Sequence, residues 1–304
     1  FQIFRAMGFR PYGPNAGDLS RLDPWSLGRT LGVDGKTIKL RIRKMEKQGF
    51  IQYYQIYSNY SLLGVEGLAY ILEVSDLQAK YEAIEKISLL DGVVEIYNFF
   101  GNTFCVDFTY RDTQDHDKRL SLLKELSKCS SSIRFYGRVM PPVNIRLTNL
   151  DWRIIKSLRY DAFKRPSKVA EELGVSVKTV KKRFQRMTDN NAIIIVPVIN
   201  PGEVANTITY GLLFFLEDNG REDTVRRILE AFQSSCFIAE TPPAGNIMLV
   251  NFARTLGETE DALLQSKSIK GVKDARLYVL KELREYSEWM DREIEKKIEE
   301  TKRS

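Results

Sequence analysis

Three cysteines in 304 residues, Cys105, Cys129 and Cys236, are too few, too scattered and odd in number for a disulfide framework or a zinc site. They read as small core residues in a reducing compartment, so a cytoplasmic chain with no metal and no cofactor is expected. Histidine is scarcer still: His116 stands alone in the polar run RDTQDHDKR, where a solvated or capping role is the expectation. No apolar run approaches the length that crosses a bilayer, and the start, FQIFRAMGFR, lacks the apolar centre of a secretory signal. Neither a Ser/His/Asp set, nor a glycine-rich phosphate loop, nor a repeated carboxylate pair stands out, and no enzyme is expected. What is present, 43% apolar and 28% charged residues, suffices for two to four small domains with real cores.

The string LGVDGKTIKLRIRKM at 31–45 returns as LGVSVKTVKKRFQRM at 173–187. Each copy reads as the turn and second helix of a helix-turn-helix. Ile38, Ile42 and Met45, and again Val180, Phe184 and Met187, fall at helical spacing and give each helix a core-facing side. The opposite side then carries Lys36, Leu40, Arg43 and Lys47 in the first copy, and Lys178, Lys182, Gln185 and Asp189 in the second, with Lys39 and Lys181 at its edge. Asp34 and Ser176 stand where a short side-chain oxygen caps a helix start.

Charge points the same way. Residues 35–47 hold six Lys or Arg against one Glu, and residues 177–189 hold five against one Asp. These 26 residues carry +9, whereas the whole chain is +6 and everything else sums to −3. Positive charge so localised suits the phosphates of a polyanion, and two such helices in one chain suit duplex DNA. Lys36, Lys39, Lys178, Lys181 and Lys182 are point charges for the backbone; Arg43 and Gln185 can make bidentate contacts to guanine and adenine, and Lys44 and Lys47 belong to the same candidate DNA-binding set. Arg41, Arg183 and Arg186 join the candidate DNA-binding set, with phosphate contact and a structural ion pair both open for Arg41 and Arg183. Thr37 and Thr179 can bond a phosphate or their own helix. Because the exposed faces differ, the two half-sites are expected to be non-identical.

The repeat extends further, at an offset of 142 to 144 residues: Gly67-Leu68 matches Gly211-Leu212, Gly101-Asn102 matches Gly245-Asn246, and Arg134 and Tyr136 match Arg276 and Tyr278. Each unit opens with helices, in the second copy at 150–159 and 167–173, while the first copy matches its opening helix through Ile3, Phe4 and Met7 and then inserts the loop GFRPYGPNAGDLS. A wing strand follows, at 51–58 and at 192–199. Then comes strand, helix, two strands, helix and strand, a ferredoxin-like βαββαβ order. The fold class is therefore α+β, in two tandem units. Winged helix-turn-helix regions are expected at 1–60 and 143–202, βαββαβ domains at 61–142 and 203–281, and a terminal helix at 282–304. That tail has a helical stripe of Leu283, Tyr286, Met290, Ile294 and Ile298, which can dock on its own chain or pair with a second copy.

A winged helix-turn-helix followed by βαββαβ resembles the Lrp/AsnC (leucine-responsive) family of transcription regulators, whose second module is the RAM domain. The residues that carry the likeness are LTNLDWRIIKSL at 147–158, the second basic helix with Arg183, and LGVDGKTIKLRIRKMEKQGFI with Arg41. The resemblance implies double-stranded DNA as partner, a homodimer through the RAM sheets, and a small effector, often an amino acid, held near the hairpin residues Gly101, Asn102, Gly245 and Asn246. Family members usually carry one unit, so this chain looks like a fused pseudo-dimer. Where they place an acidic residue after the hairpin glycine, Phe104 and Met248 stand here. Sirohaem decarboxylases resemble the same architecture and are the alternative reading.

Overall fold

The computed structural model describes residues 22–138, 140–200, 207–217, 219–232, 237–240 and 246–302. The first copy's opening helix with Ile3, Phe4 and Met7, the inserted loop, Cys236 and Gly245 lie outside the described residues. The chain divides into two compact units, one built from 67–138 and 207–286, the other from 22–66, 140–200 and 287–302. Among the described residues no helix is long and apolar enough to cross a membrane.

The second of these units carries both helix-turn-helix heads. In the first head α1 (Pro24–Leu31) and α2 (Gly35–Lys47) are followed by β1 (Ile51–Ser58). A four-residue helix, α3 (Tyr60–Leu63), then leads out of this head. Asp23 caps α1 by accepting from the Ser26 amide at 2.8 Å, Pro24 occupies its first turn, and Gly32 ends it in the left-handed conformation. The second head repeats the punctuation with Pro166 and Gly174 around its own first helix.

Its elements are α6 (Asn149–Leu158), α7 (Pro166–Leu173), α8 (Val177–Asp189) and β6 (Ile193–Ile199). The sequence reads β1 and β6 as strands of two wings; the structure instead pairs them with each other, antiparallel, from Ile51 opposite Ile199 to Ser58 opposite Ile193. The pairing satisfies one edge of each strand. A last helix, α11 (Glu288–Lys302), buries Met290, Ile294 and Ile298 and packs on α6 and α3 of its own chain. Of the expected tail stripe, Leu283 belongs to a strand rather than to this helix, because its backbone pairs with Tyr97.

The other unit is one eight-stranded sheet, in the order β5 (Ser131–Arg138), β2 (Glu66–Glu73), β4 (Thr103–Tyr110), β3 (Val93–Phe99), β10 (Val272–Glu285), β7 (Ile208–Leu216), β9 (Ile247–Ala253) and β8 (Phe237–Glu240). The first half comprises β2 (Glu66–Glu73), α4 (Leu77–Ser88), β3 (Val93–Phe99), β4 (Thr103–Tyr110), α5 (Thr113–Ser127) and β5 (Ser131–Arg138). The second half comprises β7 (Ile208–Leu216), α9 (Arg221–Ala231), β8 (Phe237–Glu240), β9 (Ile247–Ala253), α10 (Leu256–Ser268) and β10 (Val272–Glu285). Both halves have the βαββαβ order, and the long β10 joins them by pairing with β7 over its first part and with β3 over its last. With these elements the fold is α+β, two tandem units of winged helix-turn-helix and ferredoxin-like domain, plus a C-terminal helix.

Each half-sheet has its own helix-side core: Leu68, Leu72, Ile84, Ile87, Phe104 and Val106 in the first, Leu212, Phe214, Ile228, Ile247 and Leu249 in the second. The opposite faces bury Ala69, Ile71, Cys105, Leu213, Met248 and Tyr278 together. One alignment made from sequence therefore slips. Matching Gly101-Asn102 to Gly245-Asn246 sets Phe104 against Met248, yet Phe104 faces the helices and Met248 the other side. A shift of one residue along a strand exchanges its faces.

Candidate nucleic-acid interface

The two basic helices are held by the residues expected to hold them. Ile38 and Ile42 under α2, and Val180 and Met187 under α8, are buried, while Met45 and Phe184 are half-buried. Full burial of one such side chain contributes about 1.5–3 kcal/mol. Asp34 accepts from the Lys36 and Thr37 amides, and Ser176 from the Thr179 amide at 3.1 Å, so both helices start at these caps.

On α2 the side chains of Lys36, Lys39, Arg41, Arg43, Lys44 and Lys47 are exposed, and none is in an ion pair among the described residues. Leu40 stands beside them at 65% exposure, and Lys39 lies 5.7 Å from the centre of the half-exposed Trp25 ring. Thr37 is half-buried in the first turn.

On α8 the pattern differs. Lys178, Lys181 and Lys182 are exposed, and Thr179 is half-buried with its hydroxyl 2.8 Å from that of Ser176. Arg183 donates to Thr148 Oγ1 at 2.9 Å and to Asp151 Oδ1 at 2.8 Å, and Asp151 is fully buried. Arg186 lies 3.6 Å from the other Asp151 oxygen and donates to the Arg146 carbonyl at 3.0 Å. For Arg183 the geometry therefore selects the structural ion pair, and it ties Arg186 to the same carboxylate. The Gln185 amide donates to Asp189 Oδ1 at 2.7 Å, one turn on. Sequence reasoning missed Asp151 as the partner of these arginines, although it sits in the quoted string LTNLDWRIIKSL.

Of the hairpin residues expected to hold an effector, Gly101 and Asn102 are engaged by Lys80 and Val74. Asn102 Nδ2 donates to the Val74 carbonyl, and the Val74 amide donates back to Asn102 at 3.1 Å. Gly101 has φ +76° and its carbonyl accepts from the buried Lys80 ammonium. A cavity of about 380 Å³ lies elsewhere in this unit, lined by Ile71, Glu73, Thr103, Arg276 and Tyr278 among others; Gly101, Asn102 and Asn246 do not line it.

His116 is neither solvated nor a cap. Asp112 caps α5, so His116 falls one turn inside the helix, over the sheet. Its side chain is 17% exposed, with Nε2 3.2 Å from the Tyr70 hydroxyl, Nδ1 2.9 Å from Asp117, and the rings of Phe108 and Tyr110 around it. Tyr70 is on the helix side of β2, whereas the cavity is reached from Ile71 on the other.

A family model described as winged helix-turn-helix DNA-binding matches residues 147–194, which span α6, α7 and α8 and enter β6. No curated protein matches. Among solved structures, the sirohaem decarboxylase NirDL is similar over 92% of this chain and 93% of its own, at 14% identity and a TM-score of 0.58. NirDL in complex with an iron-uroporphyrin III analogue gives 91%, 93%, 14% and 0.57. AsnC of E. coli covers 44% of this chain with 92% of its own, at 18% identity and a TM-score of 0.36. The expectation that the chain is not an enzyme is overturned here, because an enzyme shares its architecture nearly end to end. The winged helix-turn-helix DNA-binding domain is itself established by the family match.

Proposed function

We propose that the chain is a sequence-preferring double-stranded DNA-binding transcription regulator of Lrp/AsnC type, with two heads carried on one fused pseudo-dimer. The observation that supports it most is the row of exposed cations on α2 that is in no ion pair among the described residues, set on a helix whose other face is buried. Phosphates would bind Lys36, Lys39, Lys44, Lys47, Lys178, Lys181 and Lys182, and Arg43 would reach base edges. Half-sites differ because the faces differ. The RAM halves serve oligomerisation or effector sensing. The cavity, with Glu73 and Arg276 on its wall, offers opposite charges to a small zwitterion such as an amino acid. Titrating duplex DNA by fluorescence anisotropy at several salt concentrations tests the reading. Engagement of about six phosphates gives a logarithmic salt slope near −5.

A second reading, a sirohaem-decarboxylase-like enzyme, is favoured by the architecture shared with NirDL. Sirohaem would be its substrate. The chain's own contribution at the cavity is one guanidinium, Arg276, toward the substrate's carboxylates, and His116 lies across the sheet from it. Titration with sirohaem, followed by its visible absorbance, separates the readings: saturable binding and loss of carboxylate support catalysis, and an unchanged spectrum removes it.

A further inference from the structure

Resting on the DNA-binding reading, we infer that the two heads divide the work: α2 reads bases, and α8 anchors phosphates. Base reading needs a planar, multidentate or apolar group free to enter the groove, whereas anchoring needs only charge. On α2 the Arg43 guanidinium is exposed and in no ion pair among the described residues. Leu40, one turn before it, is 65% exposed and can meet a thymine methyl group.

The groups on α8 able to read are each already engaged. Arg183 and Arg186 are drawn to the buried Asp151 carboxylate, one of whose oxygens is 2.8 Å from Arg183. The Gln185 amide is held by Asp189 at 2.7 Å, and the Asp189 carboxylate adds repulsion as a phosphate backbone approaches. Lys178, Lys181 and Lys182 remain, and an ammonium on a flexible stem is a point charge with little base discrimination. The head that matches the DNA-binding family, within 147–194, is thus the anchor, and the other head sets the sequence.

The test is selection of bound duplexes from a random pool by the full chain, followed by affinities for the selected and a scrambled duplex. Arg43→Lys, which keeps the charge and loses the bidentate fork, lowers the preference for the selected duplex about tenfold. Gln185→Ala changes that preference less than twofold. Lys178→Ala, Lys181→Ala and Lys182→Ala together weaken both duplexes alike and make the salt slope shallower by about 2.7. A loss of preference in Gln185→Ala equal to that in Arg43→Lys overturns the division, as does full preference in Arg43→Lys. Wild-type binding with no preferred duplex also overturns it while leaving DNA binding intact, whereas no binding at low salt overturns the reading on which it rests.

Discussion

Arg183 on α8 donates to Asp151 at the start of α6 across 2.8 Å, and that carboxylate is fully buried. Asp151 also accepts from the Thr148 backbone amide at 2.8 Å, closing the capping box of α6. One buried anion therefore fixes the first helix of the head to its basic helix. Asp151→Ala is expected to cost about 2–3 kcal/mol through the lost cap and charge-assisted bonds. Urea unfolding of the full chain measures it, and a change under about 0.5 kcal/mol, the size of an ordinary surface substitution, contradicts the assignment.

In the first head the tight contact is a glycine. A Cβ on Gly28 would stand 2.4 Å from the Val33 carbonyl oxygen, so α1 and the turn approach as only glycine allows. Gly28→Ala is expected to destabilise this head by about 1–3 kcal/mol through overpacking. Amide exchange of α2, compared with α8, measures it: faster exchange confined to α2 is the predicted result, and equal protection contradicts it.

Arg159 ties the terminal helix to the heads. It is 2% exposed, donates to Asp291 at 3.1 Å, to Gln55 at 2.9 Å and to the Ile56 carbonyl at 2.7 Å. Arg159→Ala removes a buried guanidinium with its bonds to Asp291, Gln55 and Ile56 and is expected to cost about 2–3 kcal/mol. Limited trypsin digestion reads it through cleavage at Lys296 and Lys297, which speeds up when α11 undocks; an unchanged cleavage rate contradicts the contact.

Burial, and after it the carboxylate of Glu285, pushes Glu95 up from 4.5 to about 7. A raised acid pKa means that the folded chain keeps a proton the unfolded chain has released. Its contribution is therefore fully present below about pH 4.5 and is lost as pH rises through about 7. Glu95→Gln removes that dependence. The melting temperature of the variant, relative to wild type, is expected to climb between pH 5 and pH 8, and a flat difference across this range contradicts the shift.

Much of this fold is legible in the sequence because it is written in local code. Proline before and glycine after a short apolar period mark the same helix in both heads, and β4 and β9 follow from short apolar runs set beside the Gly-Asn turns. What was not legible depends on partners distant in the chain. Nothing local says that β1 takes β6 as its neighbour, that Asp151 collects Arg183 and Arg186, or that Leu283 extends β10 instead of opening the last helix. The environment of His116 was hidden for the same reason: its own segment is polar, and the aromatic rings around it come from β2 and β4. The exposed row on α2 was readable, since helical spacing alone fixes which side chains oppose Ile38 and Ile42.

The most direct measurement is duplex-DNA affinity, across a salt series, of the chain with Lys36, Lys39, Arg43, Lys178, Lys181 and Lys182 all changed to alanine. Loss of five phosphate contacts, together with Arg43, leaves Lys44 and Lys47 in place and predicts a logarithmic salt slope shallower than wild type by about 4.5, with affinity falling at least a thousandfold near 0.1 M salt. Wild-type affinity and slope in that variant would contradict the account.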